Sequence, residues 1–272
     1  MPTLFSLIFL IIAIIESMAG LLGNGTILAV SSTSWVRSKI LSFYDMIMIF
    51  LSLYRFCLQS WMMLDLFLSL FYAASYYVDN LFVTFKIVFM FLNYSSLWFA
   101  AWLSIFCCTK VATFTQSFFI WLKQRMSSFV PWMLITSSLF SFATSKMKTS
   151  LFLLILLCKA GVALPLTVFV VSGILLIRSL WRHTRHAHMD AIKSVFFFLI
   201  LYVTYFIALF FILSNMFLPF SIWEAIGVAV MAACPAGHST ILIWSNPKFR
   251  ELPARILHHT NCQMRPRSIV TE

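Results

Sequence analysis

Arg55 stands inside an almost wholly apolar run, "LSLYRFCLQS" at 51–60. About ten residues of hydrophobic chain lie before it, which puts it near the middle of a membrane-crossing helix. An arginine there costs about 2.5–3.5 kcal/mol even on lenient insertion scales. It must face the interior of a helix bundle and find acceptors. Two sources of acceptors are in view. Glu16, Gly20 and Asn24 recur at a spacing of four, so they share one face of a helix; Asn24 is the nearest in depth. Ser239 and its polar neighbours in the last apolar run are the other. Arg55 then either locks helices together or exchanges partners between two states, and both readings stand. Other chemistry is thinly represented. "HTRHAH" at 183–188 has the ligand types for a metal, but a solvated basic loop explains it more simply. The six cysteines show no zinc spacing, and five of them sit in apolar runs as small buried hydrophobes. No glycine-rich phosphate loop and no nucleophilic triad is visible. The reading is of no enzyme, with no catalytic residue, no metal and no cofactor.

The elements that must hold these residues follow from composition. Of 272 residues, 62% are hydrophobic and only 10% charged, against roughly a quarter charged in soluble domains. The apolar runs are continuous, which excludes the alternating segments of a membrane β-barrel. The predicted fold is all-α: a seven-transmembrane helix bundle over 1–246, with helices at about 4–30, 45–72, 83–112, 129–145, 151–180, 191–215 and 222–246. A tail at 247–272 follows. About 20 residues cross a bilayer core, so the fourth segment is marginal. With the N-terminus outside, inner loops and helix ends hold Arg37, Lys39, Lys110, Lys123, Arg125, Arg178, Arg182, Arg185 and Lys193. The tail adds Lys248, Arg250, Arg255, Arg265 and Arg267. That bias sets the N-terminus outside and the C-terminus in the cytoplasm. The net charge of +11 then belongs to a face on anionic lipid, not to nucleic acid. Two sequons, at Asn24 and Asn93, fall inside predicted helices and are read as unglycosylated. No internal repeat points to a transporter.

Six motifs resemble the bitter taste receptors, the taste receptor type 2 family of G-protein-coupled receptors. "ESMAGLLGN" (16–24) is similar to the family's Glu-x3-Gly-x3-Asn, and "LSLYRFCLQ" (51–59) carries the family arginine. "LWFAAWLSIFCCTKVATF" (97–114) resembles Leu-Ser-x-Phe-Tyr-x2-Lys-Ile-Ala. "LIRSLWRHT" (176–184) resembles Leu-x2-Ser-Leu-x2-His, and "HMDAIK" (188–193) resembles His-x2-Ala-x-Lys. "HSTILIWSNPKF" (238–249) resembles His-Ser-x2-Leu-Ile-x2-Asn-x-Lys-Leu. Rhodopsin-type signatures are missing, as that resemblance implies. The chain departs from the pattern at Tyr54, Cys107 and Phe249, where small, tyrosine and leucine residues are usual. Two links are short: "SKMKTS" at 145–150, where the family has a long outer loop, and "WRHTRHAHMD" at 181–190.

The resemblance implies a multi-pass plasma-membrane receptor for bitter small molecules, coupled to gustducin-type heterotrimeric G proteins. It implies ligand contacts at Phe89, Asn93, Tyr205, Glu224 and Val228. It implies a structural and switch group of Glu16, Asn24, Arg55, His238 and Ser239, and a G-protein face of Lys110, Arg182, His183, His188, Lys193 and Lys248. The short links keep a second reading open, a loop-truncated, non-signalling membrane protein of the same family. A transporter or channel is a third.

Overall fold

The computed structural model describes residues 4–39, 43–72, 81–111, 163, 165–178, 189–213, 221–246 and 249. Among these, every extended element is helical: α1 (Leu4–Ser38), α2 (Phe43–Phe71), α3 (Leu81–Val111), α4 (Pro165–Arg178), α5 (Met189–Leu213) and α6 (Ile222–Ser245). Inside hydrocarbon each backbone N–H and C=O must be satisfied within its own segment, which leaves helix as the form for runs this apolar. Five of the six are long and apolar enough to cross a membrane, by length and composition; α4 is the shorter exception. The five match the first, second, third, sixth and seventh predicted segments, and α4 falls within the fifth. The fourth segment, at 129–145, lies outside the described residues.

Helix ends differ from the sequence reading at one place that matters. The first helix, read as ending near 30, runs on for about two turns to Ser38. Its last part, "SSTSWVRS", is polar, and hydropathy alone truncates it. Thr33 Oγ1 donates to the Ala29 carbonyl at 2.7 Å, which hides a hydroxyl inside the helix's own hydrogen-bonding pattern. The chain leaves at Lys39, whose φ of 54° and N–H bond to the Trp35 carbonyl (2.9 Å) form a left-handed stop. At the start of α6, Ser221 Oγ accepts the Glu224 N–H at 3.2 Å. Ser-x-x-Glu is the spacing of a capping box.

α1 packs against α6 and α2, α2 against α3, and α5 against α6. The core runs through Ile47, Met48, Leu51 and Leu58 of α2, Ala100 and Ala101 of α3, Leu209 of α5, and Met231 and Ala232 of α6. Large apolar side chains such as Leu22, Val36, Phe71 and Trp244 point outward. Polar and small residues join the apolar core in the interior. Ser17, Asn24, Ser52, Arg55, Gln59, Asn93, Ser95, His238 and Ser239 are all buried. Lipid is as apolar as leucine, so small and polar groups are the ones that gain by turning to a neighbouring helix.

Candidate functional site

Arg55 is 3% exposed and makes the contact that ties three helices together. Its guanidinium donates to His238 Nδ1 on α6 and to the Tyr202 hydroxyl on α5. It also lies 5.7 Å from the centre of the Tyr202 ring. Arginine has no lone pair to offer, so His238 must present its own at Nδ1 and carry its proton on Nε2. Tyr202, having accepted from Arg55, keeps its hydroxyl proton for another partner. The two rings meet edge to face at 87° and 6.0 Å, and Phe198 covers the other side of the imidazole at 4.4 Å. Phe169 of α4 packs on Tyr202 with ring centres 4.2 Å apart.

Of the two expected sources of acceptors for Arg55, the last helix is used, through His238, and Asn24 is not. Asn24 donates instead to the Gly20 carbonyl (2.9 Å) and to Gln59 Oε1 (3.2 Å), one turn along α2 from Arg55. Ser239 donates to the Ala236 carbonyl at 2.9 Å. Its neighbour His238 is the acceptor. The glycines of α1 explain why these groups lie so close. A Cβ at Gly20 would overlap the Gln59 amide, and one at Gly23 would overlap the Ser239 hydroxyl. The shared face of Glu16, Gly20 and Asn24 is thus real, but it seats against Gln59 and α6. Glu16 itself keeps one carboxylate oxygen, Oε2, buried with no hydrogen-bond partner.

One turn to the outer side of the arginine level, Tyr205 donates to Asn93 Oδ1 at 2.9 Å, joining α5 to α3. Both are buried, and the Asn93 amide nitrogen has no partner. Phe89, one turn further out on α3, and Val228 on α6 are half-buried against the same core. Glu224 sits half-buried in the first turn of α6. Between the Tyr205 and Arg55 levels is a cavity of about 20 Å³, lined by Arg55, Ser96, Leu97, Leu201, Tyr202, Tyr205, Cys234 and Pro235.

Lys193 is exposed in α5, and Lys110 lies in the last turns of α3, its side chain outside the described set. Arg182, His183, His188 and Lys248 lie outside the described residues. Phe249, where leucine is usual in the resembled pattern, is fully buried in the core, and its N–H bonds the Asn246 carbonyl at 3.0 Å.

Two members of these networks, Tyr202 and Gln59, were not singled out from the sequence. A signal existed for each. Tyr202 lies three residues before Tyr205, and Gln59 four after Arg55, so each shares a helical face with a residue that was noticed.

The chain matches the family model described as Taste receptor protein (TAS2R) over residues 1–152 and 143–261. It is 57% identical to taste receptor type 2 member 40 of Gallus gallus over 309 residues, covering 98% of this chain and 99% of the relative. It is 38% identical to taste receptor type 2 member 39 of Homo sapiens over 293 residues, 92% and 87% of the two chains. The Mus musculus member 39 is 33% identical over 287 residues, 90% of each. An alignment over 309 positions against 272 residues leaves at least 37 positions with no counterpart here. The family match also restarts at 143–152, where the short link "SKMKTS" stands.

Proposed function

From the premise that this chain belongs to the taste receptor type 2 family, multi-pass membrane receptors of seven helices and not enzymes, we propose a specific working arrangement. It detects a bitter small molecule in the outer half of the bundle and signals through a gustducin-type G protein at the inner face. The ligand pocket is lined by Phe89, Asn93, Tyr205, Glu224 and Val228. The observation that carries this reading is the stacking of two hydrogen-bonded layers. Asn93–Tyr205 joins α3 to α5, and directly inward Tyr202–Arg55–His238 joins α5 to α2 and α6. Tyr202 and Tyr205 are on one face of one helix. A ligand that competes for the Asn93 amide shifts α5, and α5 carries Tyr202 against Arg55. Such a shift is limited to the ligand's differential affinity for the two arrangements. Of the two roles open for Arg55, this reading takes the switch. Lys110, Arg182, His183, His188, Lys193 and Lys248 then form the cationic rim of the inner cleft that the G protein enters.

The test is calcium release in cells carrying a gustducin-type α-subunit, with surface delivery verified and a panel of bitter compounds applied. A dose-dependent response that Asn93→Ala displaces to higher concentration supports the reading; silence of the surface-delivered chain overturns it.

A second reading has its own observation. At least 37 aligned positions lack a counterpart, and a loop-truncated, non-signalling family member would result if they were needed for delivery. Staining of an N-terminal tag on intact cells separates the two: a chain retained inside the cell favours the second reading.

A further inference from the structure

Arg55 carries a full positive charge, and its hydrogen-bond partners are a neutral imidazole and a hydroxyl. Among the described residues no carboxylate comes within ion-pairing distance of it. The ion pair that is present, Lys86–Asp65 at 3.7 Å, lies ten residues further along α2. An isolated charge in a medium of low polarity is costly unless an opposite charge joins it. Beside this guanidinium lies the cavity of about 20 Å³, room for one small body of about the size of a water.

The character of its lining decides what that body is. Arg55 has N–H groups beyond the two already used. The Tyr202 hydroxyl accepts from Arg55, so its own proton is free to turn inward. Ser96 brings a second hydroxyl to the lining. The polar groups with protons already committed, Tyr205 to Asn93 and Cys234 to the Leu201 carbonyl, complete the wall. The site thus offers protons and one positive charge, with the carboxylate of Glu16 not among its walls.

We propose that this cavity is a halide site, taking one chloride between the Arg55 guanidinium and the hydroxyls of Tyr202 and Ser96. The ion neutralises the buried charge, and it joins α2, α3 and α5 through a single centre. Such a site depends on charge and space alone, whether or not the chain signals.

The experiment uses the full chain purified into lipid nanodiscs. Its thermal unfolding midpoint is followed as sodium chloride replaces sodium gluconate at constant ionic strength; gluconate is too large for the cavity. The midpoint should rise along a one-site saturation curve, and bromide should reproduce it. Ser96→Ala, which removes one donor to the anion, should raise the half-saturating chloride concentration about tenfold. Bromide-soaked crystals should give an anomalous peak beside Arg55. Equal midpoints in chloride and gluconate would mean that water fills the cavity and the proposal is wrong. Unchanged half-saturation in Ser96→Ala, or a bromide peak elsewhere, overturns it equally.

Discussion

Arg55 is the residue whose chemistry the rest of the bundle accommodates. Two acceptors reach it from two helices, and each bond involves an ionic donor. Such bonds are worth about 1.5–3 kcal/mol in proteins. Tyr202→Phe keeps the ring against Phe169 but removes the hydroxyl, so the guanidinium loses a partner it cannot replace from solvent. We expect a loss of about 2 kcal/mol, read as a lower thermal midpoint of the solubilised protein. His238→Phe should act in the same direction. Because both residues serve one guanidinium, the double variant should lose less than the sum of the singles; strict additivity would show that the two bonds are independent. Tyr205→Phe belongs to a different layer. It should lower the midpoint too, by about 1 kcal/mol, because the Asn93 carbonyl is left buried without its donor, and it should weaken agonist potency. How much of this was legible in advance is itself a matter of range. That Arg55 needs interior acceptors follows from its depth alone. Which acceptors it finds does not, because His238 and Tyr202 stand 183 and 147 positions away in sequence. Asn24 had the right depth and the right chemistry, and it is already engaged by Gln59.

Among elements, α1 and α6 are joined by the absence of side chains. Gly23 lets the Ser239 hydroxyl enter the space where a Cβ would be, with the Ser239 Cβ itself 3.0 Å from that point. The obstruction includes an atom fixed to the α6 backbone, so the helices must separate to admit even one methyl group. Gly23→Ala is therefore expected to cost about 1–3 kcal/mol, as overpacking does. Gly20→Ala meets only the far end of Gln59, which can swing aside, so its effect should be smaller and should show as a lost Asn24–Gln59 bond. Surface staining together with thermal midpoints would rank the two; the reverse order would contradict this account of the interface. Pro235 has a complementary role within α6. It withholds an N–H from the turn before it, three residues ahead of His238. Among the described residues, α2, α3, α5 and α6 begin and end where their apolar runs do. The polar end of α1 was misread because its hydroxyls bond to the helix's own carbonyls, a device that hydropathy does not register.

For the molecule as a whole, the question is what the positions without a counterpart cost. Among the described residues, the hydrogen bonds that close the Arg55 layer come from α2, α5 and α6, and that of the Asn93–Tyr205 layer from α3 and α5. None of these bonds needs an outer loop. Lengthening a connection changes its closure entropy slowly, by about 0.6 kcal/mol for each doubling. Grafting a longer polar segment in place of "SKMKTS" should therefore shift the thermal midpoint little. It should leave the fraction of protein at the cell surface near that of the native chain. Agonist potency is where a change is expected, because a loop at the outer end meets the ligand before the helices do. The graft and the native chain would be compared by tag staining, thermal midpoint and calcium response in one cell line. A graft that restores surface delivery to a chain otherwise held inside the cell would reverse the conclusion. The helix contacts would then be insufficient alone, and the short link would be the reason for silence.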